Sequence, residues 1–252
     1  MMQPGAPQPS KDRTALMVVA VIAAVAVVTA LVVVVLVKTR SGSSDSISAS
    51  PGTSSAPVDP DQLKSVRIAS PKLLTKPGSS DPMATLTVYE DFLCPFCGQY
   101  EQVYGPAIAT LIDSGQLAVD YTMVSVLGRH STASYSVRSG AMAYCVADAD
   151  KAAFQRFHAA LFADQPDETA STFPSDDQLL AQARKAGADD SVADCVHSGK
   201  YLDMVNKAVT TAKITGTPTL ELNGKDIADD LMNKLDPQIL IDKVTAITGN
   251  KR

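Results

Sequence analysis

The chain has 252 residues and a formal net charge of −5, from 22 Lys and Arg against 27 Asp and Glu. That length holds one large domain or two small ones. The acidic balance leaves no broad basic field to neutralise phosphates, so nucleic acid is excluded as the expected partner.

Residues 1–14 form a short N-terminal segment, expected to be cytoplasmic. Ala15 to Val37 is a 23-residue run in which only Thr29 is polar. At about 1.5 Å per residue it makes roughly 35 Å of helix, enough to cross a bilayer. Eleven of its residues are Val, a poor helix former in water, but in lipid the backbone has no other way to satisfy its hydrogen bonds. The run is longer than a signal-peptide core and Val28-Thr29-Ala30 is a poor cleavage site, which favours an uncleaved anchor over a cleaved signal. Two basic residues flank each side (Lys11 and Arg13, Lys38 and Arg40), so the positive-inside rule does not orient the span. Residues 38–64 read as a disordered tether, because Ser41 to Gln62 is dominated by Ser, Pro, Gly and Asp with little to bury.

Globular composition begins near residue 65. Val66 to Ile68 alternates as a short strand, and Ala84 to Phe92 is β-rich and leads into Cys94-Pro95-Phe96-Cys97. Gly98 to Ile112 has apolar residues at helical spacing, with Tyr100 and Tyr104 on the packing face and a kink expected at Gly105-Pro106. Leu117 to Leu127 reads as a buried strand. Residues 131–212 are helical: Tyr135 to Ala149, Lys151 to Phe162, Asp176 to Ala186, and one or two helices in Asp189 to Lys213. Pro218 to Leu222 is a strand, and Asn223-Gly224 turns it into a hairpin with Lys225 to Ile227. Asp236 caps a last helix to Ile247, with Pro237 at its first position. The order is β-α-β, a helical insert, then β-β-α, with the α/β domain divided between residues 65–130 and 213–252.

Four cysteines carry the chemistry. Cys94 stands where a predicted strand gives way to a helix, and Pro95 suits the first turn because its missing N–H is not needed there. The free N–H groups and positive dipole end of that helix favour a Cys94 thiolate, with Cys97 one turn on and within disulfide reach. A zinc site made of all four is opposed by the intervals of 48 residues (Cys97 to Cys145) and 50 (Cys145 to Cys195). A purely structural Cys94-Cys97 bond would close too short a loop to constrain much of the unfolded chain. Outside the cytoplasm an even cysteine count implies pairing, so Cys145 and Cys195 are expected to form a structural disulfide. His130, His158 and His197 form no metal or triad spacing, so no metal and no cofactor is expected.

On YEDFLCPFC (Tyr89 to Cys97), the helical insert and Thr215-Gly216-Thr217-Pro218-Thr219, residues 65–250 resemble the DsbA-like proteins, thioredoxin-fold oxidoreductases with an inserted helical domain. Anchor, tether and extra cysteine pair look most like membrane-anchored actinobacterial members. The resemblance implies a Cys94-Cys97 redox pair, a cis-proline loop at Thr217 and Pro218 that receives substrate peptide, and unfolded secreted proteins as substrates. It also implies reoxidation by a membrane oxidase of DsbB or vitamin K epoxide reductase type, with the catalytic domain extracytoplasmic. Two features depart from the strongest oxidants: Phe96 stands where they carry His, and Val88 stands six positions before the first cysteine, where many relatives carry an acid. Glu90 and Asp91 are the nearby acids, candidates to substitute for that proton-relaying acid but read in preference as solvated strand-end charges. The alternatives are an isomerase or reductase of the same fold, or a tethered binding module or chaperone with structural disulfides.

Overall fold

The structure is a computed structural model that describes residues 59, 61–128 and 133–249. The 15–37 span, the tether as far as residue 58 and His130 lie outside the described residues. No helix among the described residues is long and apolar enough to cross a membrane.

Five strands form one sheet in the order β1-β3-β2-β4-β5. They are β1 (Val66–Ile68), β2 (Thr85–Glu90), β3 (Ala118–Met123), β4 (Thr219–Leu222) and β5 (Lys225–Asp226). Only β2 and β3 run parallel; the other neighbours are antiparallel. The parallel pair needs a long crossover, supplied by α1 (Pro95–Asp113), which runs through Gly105-Pro106 as one helix. Alternation along β2 buries Leu86, Val88 and Glu90 on one face. Across the other edge, Arg67 of β1 faces Asp120 of β3 and clasps it through two hydrogen bonds of 2.7 and 2.6 Å. The tight turn to β5 uses Asn223 and Gly224, both with positive φ (52° and 76°), as a type I′ hairpin requires.

The insert contains α2 (Tyr135–Ala149), α3 (Lys151–Ala163), α4 (Asp176–Lys185), α5 (Ser191–His197) and α6 (Leu202–Ala212). Short polar side chains start most of them: Ser134 accepts from Val137 N, Asp150 from Ala152 N and Ala153 N, and Ser175 forms a capping box with Gln178. The chain then returns to β4 and β5 and ends in α7 (Ala228–Met232) and α8 (Pro237–Thr248), the latter capped by Asp236. The five-residue α7 has no counterpart in the sequence reading, being too short to show a period. β3 is also shorter than the expected Leu117–Leu127, because beyond Met123 the chain leaves the sheet.

One continuous core joins the sheet to the insert. Leu86, Val88, Tyr100, Tyr104, Ile108 and Leu220 belong to it, and so do Met142, Phe154 and Phe157 of the helical part. Burying a large apolar side chain contributes about 1.5–3 kcal/mol, so the insert shares its stabilisation with the sheet. Tyr104 fixes the late helices as well, its hydroxyl donating to Leu231 O at 2.8 Å.

Candidate active site at the N-terminus of α1

The topology explains why residues more than a hundred positions apart meet. β4 is antiparallel to β2 with Thr219 opposite Tyr89, so the start of β4 lies beside the end of β2, where the chain turns into α1. Cys94 is the N-cap of α1, with extended backbone (φ −73°, ψ 119°) and Pro95 behind it. The Thr217-Pro218 peptide is cis, and the Cys94 thiol lies 3.4 Å from Thr217 O. The structure therefore brings together Cys94, Cys97, Thr217 and Pro218. The other two cysteines stand apart: Cys145 of α2 and Cys195 of α5 are bonded within the insert, with Cα atoms 5.8 Å apart, in the usual range for a disulfide.

Cys94 and Cys97 are both free thiols, and their environments divide them. Cys94 retains 6 % exposure and Cys97 none. The Cys94 thiol is lowered to about 6, chiefly because the Cys97 thiol donates to its sulfur; burial opposes this, while Thr217 and the N–H groups of Cys97 and Phe96 support it. The helix terminus thus contributes, but the partner thiol contributes more. Cys97 moves the other way, well above the ordinary thiol value, because burial disfavours its thiolate and its proton is committed to Cys94, with the fields of Cys94 and Glu90 adding to that. One sulfur is poised to be a thiolate and the other to hold a proton.

The two acids read as solvated strand-end charges are instead fully buried. Glu90 falls in the inward phase of β2, two residues past Val88 on the same face. Its Oε1 meets His158 Nε2 at 2.5 Å. Burial pulls the His158 imidazole down, but Glu90 and Glu101 outweigh it and hold the ring's pKa up. His158 therefore belongs to a buried cluster, although its spacing in the chain announces none. Asp91 turns inward because it is the acceptor for three N–H groups: Leu93 on Oδ1 at 2.9 Å, and Val126 and Leu127 on Oδ2 at 2.8 and 3.0 Å. Cys94 N donates to the Asp91 carbonyl at 2.9 Å, so Asp91 fixes the turn that presents Cys94.

Gln165, just after α3, is a further site residue that carries no sequence signal. Its amide donates to Phe92 O at 3.1 Å and Cys94 O at 2.9 Å, bracing the cysteine turn from the insert. Gly98 makes room for it: a Cβ there would lie 2.3 Å from Gln165 Oε1. Phe96, between the cysteines, is 63 % exposed and gives the rim of the site an apolar contact.

The thioredoxin family model, described as Thioredoxin, matches residues 75–242. The crystal structure of oxidised Mycobacterium tuberculosis DsbA is similar at 43% identity and a TM-score of 0.69, over 74% of this chain and 94% of that one. The reduced disulfide bond oxidoreductase DsbG of Mycobacterium tuberculosis is also similar at 43% identity and TM-score 0.69, over 75% and 89% of the two chains. Among curated proteins, the serine/threonine-protein kinase PknE of Mycobacterium tuberculosis is 33% identical over 142 residues, which are 55% of this chain and 25% of the kinase. The chain spans about a quarter of the length of the curated relatives it matches. With a thioredoxin-like sheet, a helical insertion and this likeness to DsbA and DsbG, the chain belongs to the thioredoxin family, among its DsbA-type thiol-disulfide oxidoreductases.

Proposed function

We propose that the protein introduces disulfides into secreted or cell-envelope proteins, with Cys94 as the sulfur that exchanges with substrate and Cys97 as the resolving thiol. The observation that carries this reading is the opposed acidity of the two sulfurs. In the oxidised enzyme, a substrate thiolate attacks Cys94 Sγ and forms a mixed disulfide. The Cys94–Cys97 bond breaks, and Cys97 leaves as a thiolate that takes up a proton. A second substrate thiolate then attacks the substrate sulfur of the mixed disulfide and expels Cys94 as a stable thiolate. The substrate loses two electrons and two protons, and the Cys94-Cys97 pair gains the two electrons. A low-pKa leaving thiolate favours this direction.

Thr217 and Pro218 offer the substrate peptide a backbone edge: Pro218 has no N–H to compete for hydrogen bonds, and the chain beside it is extended. The 15–37 run holds the domain at the membrane, outside the cytoplasm, and a DsbB-type or vitamin K epoxide reductase-type oxidase reoxidises the pair. Cys145-Cys195 is structural in this reading. Expressed in cells, Cys97→Ser is expected to accumulate mixed disulfides with secreted proteins, because its Cys94 thiolate can attack a substrate disulfide, releasing the other substrate sulfur as thiolate, with no second thiol to resolve the adduct, and Cys94→Ser is expected to accumulate none. Identical behaviour of the two variants overturns the assignment. Protease added to spheroplasts is expected to digest the domain, and complete protection overturns its external placement.

A further inference from the structure

We propose that Glu90, Glu101 and His158 form a divalent-cation site of the Zn2+ class at the base of the groove between α1 and α3. The three side chains come from three elements, β2, α1 and α3, and one ligand atom of each lies within 4.8 Å of the others. Zinc bound by nitrogen and oxygen at about 2.0–2.2 Å sets its ligand atoms about 3.3 Å apart.

The cluster also has acceptors that nothing else among the described residues uses. Glu90 is fully buried, yet its Oε2 has no hydrogen-bond partner, and Glu101 Oε1 is likewise buried and unpartnered. A buried carboxylate oxygen with no donor is costly, and two carboxylates facing each other add like-charge repulsion. A dication that takes the place of the proton between His158 Nε2 and Glu90 Oε1, releasing it to water, offsets both penalties. The imidazole is already oriented by the rings around it: Tyr121 at 4.6 Å, Phe162 at 5.2 Å, and Phe92 and Phe154 at 5.6 Å between centroids. Three protein ligands leave a fourth position open, and the groove beside it, about 970 Å3 and lined by Glu101 and His158, admits water and gives the ion a way in. An imidazole with two carboxylates suits Zn2+ and its first-row neighbours, whereas Ca2+ requires six to eight oxygens and Mg2+ a near-ideal octahedron. The site is independent of the Cys94-Cys97 reading.

The test uses the purified full chain with Cys94 and Cys97 oxidised to the disulfide, so that no thiol competes for metal. Calorimetric titration with Zn2+ is expected to show one equivalent bound, and Co2+ to give the intense visible bands of a four-coordinate site. Replacing outer-shell partners of a metal ligand costs about 10–100-fold in affinity, so Glu101→Gln, which removes a ligand and keeps its shape, is expected to weaken Zn2+ about 100-fold or more. His158→Gln is expected to do the same, with circular dichroism reporting the fold of each variant. Absence of stoichiometric binding, Co2+ that stays octahedral, or Zn2+ affinity unchanged in the folded Glu101→Gln protein overturns the proposal.

Discussion

The potential of the Cys94-Cys97 pair is expected to change slope with pH. In the reduced protein the Cys94 thiol has its pKa at about 6 while Cys97 stays protonated well beyond the ordinary thiol range. Reducing the disulfide therefore takes up two protons below pH 6 and only one above it. A tenfold change in a two-electron equilibrium is about 30 mV, so the potential is expected to fall by about 59 mV per pH unit below 6 and about 30 mV above it. At pH 7 a thiol with its pKa at about 6 rather than the ordinary 9.0 has roughly ten thiolates per thiol, which stabilises the reduced form by about 1.4 kcal/mol, or about 30 mV. With its thiol below thioredoxin's about 7 and above the most oxidising DsbA's about 3.5, the pair is expected to be a stronger oxidant than thioredoxin, at about −270 mV, yet weaker than that DsbA, at about −120 mV. The same shift acts on stability. Because the folded pKa is depressed, the stabilisation of the reduced form is full above the ordinary thiol pKa and is lost as pH falls through 6. Equilibration against glutathione buffers across this range, with alkylation to count oxidised protein, gives both slopes. A single slope of about 59 mV per unit continuing to pH 8 would refute an ionised Cys94.

Three further outcomes follow from the contacts. Cys97→Ala is expected to raise the Cys94 pKa by at least about one unit in a thiolate-absorbance titration, since it removes the largest cause of the shift, whereas Cys97→Ser keeps a donor and a lower midpoint; equal midpoints would assign the shift to the helix terminus. Asp91→Ala leaves three N–H groups without their acceptor, each costing about 1–3 kcal/mol when buried, so urea unfolding is expected to show a loss of roughly 3–5 kcal/mol after partial relaxation; a loss under about 1 kcal/mol would place that support elsewhere. The Cys145→Ser/Cys195→Ser double variant is expected to lose about 2–5 kcal/mol of stability, with exchange at Cys94-Cys97 retained in the folded protein; retained stability with lost exchange would give the second pair a redox role.

Where the sequence spoke clearly, the signal was local. Ala84 to Phe92 is β-rich over a short run, Asp236 with Pro237 marks a helix start through its own chemistry, and Asn223-Gly224 marks the hairpin. The cysteine pair and Thr217-Pro218 were legible for the same reason, each being a short motif at the end of an element. What escaped was set by distant partners. Glu90 looks like an ordinary strand-end acid until His158, 68 residues away, packs against it. Asp91 looks solvated until the loop after β3 brings two N–H groups to it. Gln165 is one polar residue among many until folding sets it 71 positions back along the chain, against Cys94.

The grip of Gln165 on the cysteine turn changes what the inserted helices are for. They are not a lid that could be trimmed to leave a working minimal thioredoxin, because the carbonyls of Phe92 and Cys94 would lose the amide that Gln165 donates to both and the turn its outer stop. The redox motif is therefore effectively five residues long. Gly98, which follows the second cysteine, acts as the gauge that sets how near the brace may come, and any side chain placed there would press on the glutamine before it touched a substrate.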